Sequence, residues 1–167
     1  MKVFSANIQD LRTLYVSNLK KALDMEQKIT KALPDLIEKS TDPELTTAFQ
    51  THLEETKGHV SMVESLLQRN IGESKTETCK VINGLTTEAS DTIKDVTDSS
   101  IRDIALIGAA QQVEHHEIAV YGTLRRWAEI LGLTDDAMVL EAIEEQEGNA
   151  DELLSGIADR VNFQAAA

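Results

Sequence analysis

Glutamate and histidine recur together in this chain at helical spacing, and that pairing of residue types is the chemistry of cation binding. The stretch 104–124, IALIGAAQQVEHHEIAVYGTL, places Glu114, His115, His116 and Glu117 in four consecutive positions. A stripe spaced by threes and fours runs through Ile104, Ile107, Gln111, Glu114, Ile118, Tyr121 and Arg125, so Glu114 falls on a seam that a helix would bury. A carboxylate there is costly unless something neutralises it. Two neutralisers are open: a bound cation, or a buried basic residue with the histidines turned outward. All four histidines, His52, His59, His115 and His116, lie within four residues of a glutamate. His52, Glu55 and His59 follow one another at i, i+3, i+7, as do Glu144, Glu147 and Asp151, while Glu26 stands alone. Side chains three or four apart on a helix are neighbours, close enough to share one ion or bridge two.

The elements that position these groups are helices. Glycine and proline are sparse, and no stretch alternates as a strand would. A first helix is predicted from near Asn7, where Asn7 and Asp10 resemble a capping box. Its inner stripe reads Leu11, Leu14, Asn18, Ala22, Met25, Ile29, Leu33 and Leu36, with Glu26 at the edge and Pro34 set to kink or restart it. Asp42 and Pro43 open a second helix, with Leu45, Phe49, His52, Thr56, His59, Val63 and Leu66 inward and Gly72 at its end. Residues 73–98 read as a long crossover carrying a short helix. A third long helix begins at Ser100, with Asp103 completing its cap, and stops at Gly132. Thr134 caps a fourth, with Leu133 stapled to Met138 and Leu140, Ile143, Glu147, Ala150, Leu154, Ile157 and Val161 inward. The tail from Gln164 onward reads as frayed. The expected fold is all-α, one domain over residues 1–167: a four-helix bundle whose crossover lets its second and third long helices lie parallel, as in ferritin-like proteins.

A bundle of this kind would collect Glu26, His52, Glu55, His59, Glu114, Glu117, Glu144, Glu147 and Asp151 from four helices. LEETKGH (53–59) also matches IEEQEGN (143–149) in its paired glutamates and its glycine, a faint internal repeat. Single glutamates from two helices and paired ligands from the other two make a two-metal carboxylate site. Carboxylates with a few imidazoles suit iron or manganese. His59 would reach a site shared with Glu55 only if the helix bulged. His115 lies about 100° round the helix from Glu114 and reads as a group that orients ligands or packs against its neighbours rather than as a ligand, and His116 faces out. Tyr121, one turn beyond Glu117, can hydrogen-bond a ligand carboxylate or serve as a core aromatic. Arg102 and Arg125 are the counter-charges if no cation binds, and Tyr15 and Trp127 read as packing residues.

HLEET (52–56), the lone Cys79 followed by a glycine and Glu88, RDIALIGAAQQVEHHEIAVYGTL (102–124) and the paired glutamates and aspartate of the last helix resemble the YciF/YciE family of ferritin-like bacterial stress proteins. The resemblance covers nearly the whole chain. It implies a ferritin-like bundle, commonly a homodimer, with a di-metal site. The ligands implied by motif are Glu26, Glu55, Glu114, Glu117 and Glu147, together with Glu144. Two features depart from the family pattern. His59 stands where the family usually carries glutamine, and the last helix holds one extra residue between Ile143 and Asp151. That insertion leaves open which of Glu144, Glu145 and Glu147 points inward.

Composition narrows the function. A net charge of −13 argues against nucleic acid and against an anionic membrane surface. One cysteine rules out an internal disulfide and fits a reducing compartment, and the N-terminal residues lack a signal-peptide core, so a cytoplasmic protein is expected. No nucleophile stands beside the histidines as a hydrolase would need, and no side chain is singled out as catalytic in its own right. Two functional readings remain. One is a centre of two divalent ions, iron first and manganese second, that oxidises Fe(II) or consumes O2 or peroxide. The other is a structural or interaction protein whose carboxylate cluster only holds the bundle together.

Overall fold

A computed structural model describes residues 8–165, and these form five helices: α1 (Leu11–Lys39), α2 (Pro43–Ile71), α3 (Lys80–Asp95), α4 (Ser99–Ile130) and α5 (Thr134–Ala165). α1, α2, α4 and α5 are the four long helices, and α3 is the short helix of the crossover. The chain folds as two antiparallel hairpins, α1 on α2 and α4 on α5, packed so that α2 faces α5 and α1 faces α4. This is the ferritin-like arrangement expected from the sequence.

The helix starts follow from capping chemistry. The Asp10 carboxylate accepts the Thr13 N–H at 2.7 Å and caps α1; Asn7 lies outside the described residues. Asp42 caps α2, with Pro43 just inside, and the left-handed Gly72 (φ 71°) ends it. Asp98 caps α4 by accepting from Ser100 and Ile101. Asp103, which the sequence placed in that cap, is not part of it and bonds Thr41 and Asp42 instead. Thr134 is the first residue of α5, and the Ala137 N–H bonds the Leu133 carbonyl. Met138 is 64% exposed, so it makes no staple with Leu133. α1 runs unbroken through Pro34, which sits on the exposed side, where water can reach the carbonyl the proline leaves unbonded. α5 stays helical to Ala165, past the point where fraying was expected.

A second set of polar contacts fixes the ends of the bundle. Asp103, buried on α4, accepts from the Thr41 N–H (2.8 Å), the Thr41 hydroxyl (2.7 Å) and the Asp42 N–H (2.8 Å). Arg160 of α5 clasps Asp42 from the other side through two N–H donors at 2.6 and 2.9 Å, and this pairing holds the Asp42 carboxyl down at about 2. The α1–α2 turn is thereby tied to both α4 and α5. At the opposite end Asp136 accepts from the Tyr15 hydroxyl (2.9 Å) and the Asn70 amide (2.6 Å) and pairs with Arg69 (3.1 Å), joining α1, α2 and α5. These contacts set the directions: α2 and α4 both start at the Asp42 end and run parallel.

The parallel run requires the crossover to return along the bundle, and it does so on α1. Glu77 accepts from Ser17, its N–H bonds the Lys20 carbonyl, and the Cys79 N–H bonds Asp24. α3 then lies over the seam between α1 and α4, burying Ile82. The buried stripe of α1 runs through Tyr15, Leu19, Ala22, Glu26, Ile29 and Leu33, widened by Leu23 and Met25.

Replacing Asp103 by alanine strands three donors at the α1–α2 turn. The expected loss is about 2 kcal/mol, or roughly 5–8 °C in Tm, with Asp103→Asn losing about half as much. Thermal melts followed by circular dichroism check it, and an unchanged Tm for Asp103→Ala would remove the clasp from the account.

Candidate metal centre

Midway along the bundle each long helix turns a polar side chain inward, at positions where the apolar pattern continues on either side. α1 contributes Glu26, between Met25 and Ile29. α2 contributes His52 and His59, seven residues apart and therefore on one face two turns apart. α4 contributes Glu114 and Glu117, and α5 contributes Glu147. All six are buried.

Their ligand atoms form two groups, each with its atoms within 4.8 Å of one another: His52, Glu114, Glu117 and Glu147 in one, and Glu26, His59 and Glu147 in the other. Glu147 belongs to both. His52 Nε2 lies 3.3 Å from Glu114 Oε1, and His59 Nδ1 lies 2.9 Å from Glu147 Oε1 and 3.8 Å from Glu26 Oε2. Groups of this composition can hold a metal ion.

The fit is tested by hydrogen bonding. Nine buried side-chain N or O atoms among the described residues make no hydrogen bond of proper geometry, the 2.9 Å approach of His59 Nδ1 to Glu147 Oε1 included, and all nine belong to these six residues. Buried polar atoms are ordinarily satisfied. Here the unsatisfied ones converge from four helices, with no lysine or arginine among them. Four carboxylates and two neutral imidazoles match the charge of two divalent cations, and the donor set is that of iron, manganese or zinc rather than of a thiolate metal.

The surroundings orient these donors. The Tyr121 hydroxyl donates a hydrogen bond to Glu26 Oε1, and its ring packs edge-on against His59. His59 Nε2 meets the Gln146 side-chain oxygen at 2.7 Å. That contact fixes the proton on Nε2 when the ring is neutral and leaves the Nδ1 lone pair facing Glu26 and Glu147. Gln146 is absent from the sequence reading. It precedes Glu147 on α5 and, being about 100° round the helix from it, carries no spacing signal.

Crowding shows in the titration of these groups. Burial first, and the Glu147 charge second, push Glu26 up to about 7. Burial pushes Glu114 up to about 8 despite the nearby His52, and lifts Glu117 well above the carboxylate range. Burial works to lower His52 and His59, but the surrounding carboxylates outweigh it and raise both to about 9. Without a cation the centre therefore holds protons.

Other residues singled out from the sequence lie elsewhere. Glu144 turns away from the centre: its carboxylate lies over Gly122 and accepts from Arg125 Nε at 2.7 Å. Arg125 and Arg102 are accordingly not counter-charges to the centre, and Arg102 bonds the Val96 and Thr97 carbonyls. Glu55 is 37% exposed and stands at the edge, 3.9 Å from His52 Nδ1. α2 is α-helical throughout, so no bulge brings His59 inward; the seven-residue spacing from His52 does that. Of the repeated glutamate pairs, Glu54 and Glu145 are exposed, Glu144 pairs with Arg125 and Glu55 borders the centre. His115 is 67% exposed and meets Asp151 at 3.4 Å, and Asp151 also accepts from Gln111, forming a polar rim outside both groups. His116 is half-buried beside Cys79, with Nε2 and Sγ 3.7 Å apart.

Comparisons with known proteins agree with this architecture. The chain is 34% identical over 161 residues to Protein YciF of Escherichia coli (strain K12), covering 95% of this chain and 97% of that protein. The crystal structure of the E. coli stress protein YciF superposes with a TM-score of 0.89 at 32% identity over 93% of this chain and 99% of that one. YcfI of Rhodopseudomonas palustris, described as a candidate structural protein, gives a TM-score of 0.88 at 36% identity over 92% and 98% of the two chains. A protein from Xanthomonas campestris pv. campestris, at 22% identity and a TM-score of 0.74 over 92% and 94%, shares the fold. The family described as "Domain of unknown function (DUF892)" matches residues 10–167, and the chain belongs to it.

Proposed function

We propose that the protein is a di-metal carboxylate protein, with iron as the first choice of metal and manganese the second, that reacts with a small oxidant such as O2 or peroxide. The observation that carries this reading is the convergence of every partnerless buried side-chain atom among the described residues on six ligand-type side chains, with Glu147 shared between the two groups. A redox-active pair of ions held there would supply Lewis acidity and electrons to the oxidant. The chain's own residues then have defined tasks. Glu147 spans the two positions, Tyr121 holds Glu26 in place, and Gln146 keeps the His59 lone pair turned inward. The E. coli relative is described as a stress protein, which suits the removal of iron or oxidant. A cytoplasmic homodimer is the setting we propose; the free, buried Cys79 suits a reducing compartment.

A second reading has its own support. Cations joining four helices would staple the bundle whether or not they react, and the R. palustris relative is described as a candidate structural protein. Turnover separates the two. Protein stripped with a chelator and reloaded anaerobically with Fe(II) is mixed with O2 or peroxide, and oxidation is followed by absorbance. Oxidation faster than that of free Fe(II) supports the first reading, whereas a raised Tm with no oxidation supports the second.

Metal uptake tests the ligand set. Wild type is expected to take up two ions per chain, one for each group. Glu147→Ala lowers the uptake below one, because both positions use that side chain, while Glu144→Ala leaves it unchanged. Tyr121→Phe and Gln146→Ala each weaken uptake by about 10–100-fold. Calorimetric titration with Mn(II) reads all four variants. Equal losses in Glu144→Ala and Glu147→Ala would overturn the assignment.

The pH dependence has a definite sign. Glu26 and Glu114 rise from 4.5 to about 7 and about 8, and His52 and His59 rise from 6.5 to about 9. Over that window the metal-free fold binds more protons than the unfolded chain. The contribution of these four groups is therefore fully present below their unfolded values and is lost as pH rises through the folded ones, whereas that of Asp42 is lost on acidification. Metal displaces the same protons, so its stabilisation grows over the same range. The Tm gap between loaded and stripped protein should widen from pH 5 to pH 9. A gap independent of pH would mean that the metal binds elsewhere.

A further inference from the structure

A cavity of about 400 Å³ lies in the seam between the two hairpins and reaches the metal centre at His52 and Glu114. Its walls are chiefly apolar, with Ile29 and Leu33 from α1, Phe49 from α2, Ile93 from α3, Val113 from α4 and Leu154 from α5. The space exists because small residues stand where the hairpins face each other: Ala32, Ala48, Ala109, Ala110 and Ala150 all line it. Polar side chains such as Thr86, Ser90 and Asn149 also border it. Glu38, Lys39 and Lys94 stand at the exposed mouth, and His52 and Glu114, both buried and each with partnerless ring or carboxylate atoms, stand at the floor.

These dimensions set the occupant. One water takes up roughly 30 Å³ of liquid, so a diatomic oxidant or a lone metal ion would use a small part of the space. Sites of about 300–1,000 Å³ with apolar walls and a few convergent polar groups are the kind that take small organic molecules. An inorganic reactant would need no such walls, and it would gain nothing from Phe49 and Leu154.

We propose that this cavity binds a small, predominantly apolar organic molecule with one polar end, its apolar body between the hairpins and its polar end at His52 and Glu114. Where the centre holds metal, as proposed above, that end faces the metal. The mouth, lined by both acidic and basic side chains, selects no charge, so recognition rests on apolar length and a single polar terminus.

Straight-chain primary alcohols from 1-butanol to 1-dodecanol are the probes, titrated calorimetrically into metal-free and Mn(II)-loaded protein. Affinity is expected to rise about fourfold per added methylene and then stop rising once the chain fills the cavity. Ala48→Leu moves that limit to shorter alcohols and weakens the longest one bound by tenfold or more, while Mn(II) uptake stays at the wild-type level. Ala32→Leu, on a different helix, makes the same test if Ala48→Leu does not fold. Glu147→Ala loses Mn(II) but keeps the chain-length limit in the metal-free protein, so failure of the metal reading and failure of this one are told apart. Affinity that climbs with no limit, or a limit unmoved in both alanine variants, would overturn the proposal.

Discussion

Four carboxylates brought together inside a helical bundle repel one another, and relief of that repulsion governs the centre of this protein. Two unit charges 4.8 Å apart, the outer spacing within each ligand group, repel by roughly 3–4 kcal/mol at an effective dielectric of 20. Several such pairs together rival the whole stability of a domain, about 5–15 kcal/mol. The fold can carry them only protonated or neutralised. The raised titration of Glu26, Glu114 and Glu117 is the first solution and a pair of cations is the second. The same side chains thus make the metal-free state proton-rich and the loaded state proton-poor.

The ends of the bundle show that unsatisfied carboxylates are not a general habit of this chain. Asp103 and Asp136 are as deeply buried as Glu114, yet each has three polar partners drawn from other segments. Arg160 and Arg69 supply charge at those ends, and Arg125 supplies it to Glu144 near the surface. Basic residues are thus placed against acids at the ends and flanks and withheld from the middle. A cluster serving only to join helices would gain from arginines, as the ends do. The contrast within one molecule says more about the centre than its carboxylate count.

Much of this was legible in the sequence, and the failures have physical causes. α2 could be read throughout, because its buried positions from Leu45 to Leu66 keep a single stripe and it packs on only two neighbours. α1 and α4 were read in a shifted phase: Tyr15, Leu19, Ala22, Glu26, Ile29 and Leu33 line α1, and Asp103, Ile107, Ala110, Glu114, Glu117, Tyr121 and Leu124 line α4, beside the stripes that the spacing suggested. Glu26 was placed at an edge for that reason, and Glu117 became as buried as Glu114. Among the glutamates of the last helix adjacent residues point about 100° apart, so packing and not spacing decides that Glu147 turns inward while Glu144 meets Arg125. Gln146 and the clasp at Asp103 left no trace in spacing, since both act across long stretches of chain.

The two ligand groups are not equivalent, and the difference follows from how α2 spaces its histidines. His59, Glu26 and Glu147 are sealed completely, with Tyr121 and Gln146 closing the surroundings. His52, two turns nearer the Asp42 end, forms with Glu114 the floor of the cavity, and Glu55 stands at its edge. On the di-metal reading, one position is enclosed by protein while the other meets whatever enters between the hairpins. A purely structural staple would have no use for that asymmetry, because sealing both positions alike would stabilise the bundle more. The alanines that hold the seam open at His52 forgo packing contacts that larger residues would make. That lost packing is intelligible if access to one side of the centre, and not only its stability, shaped the helix faces.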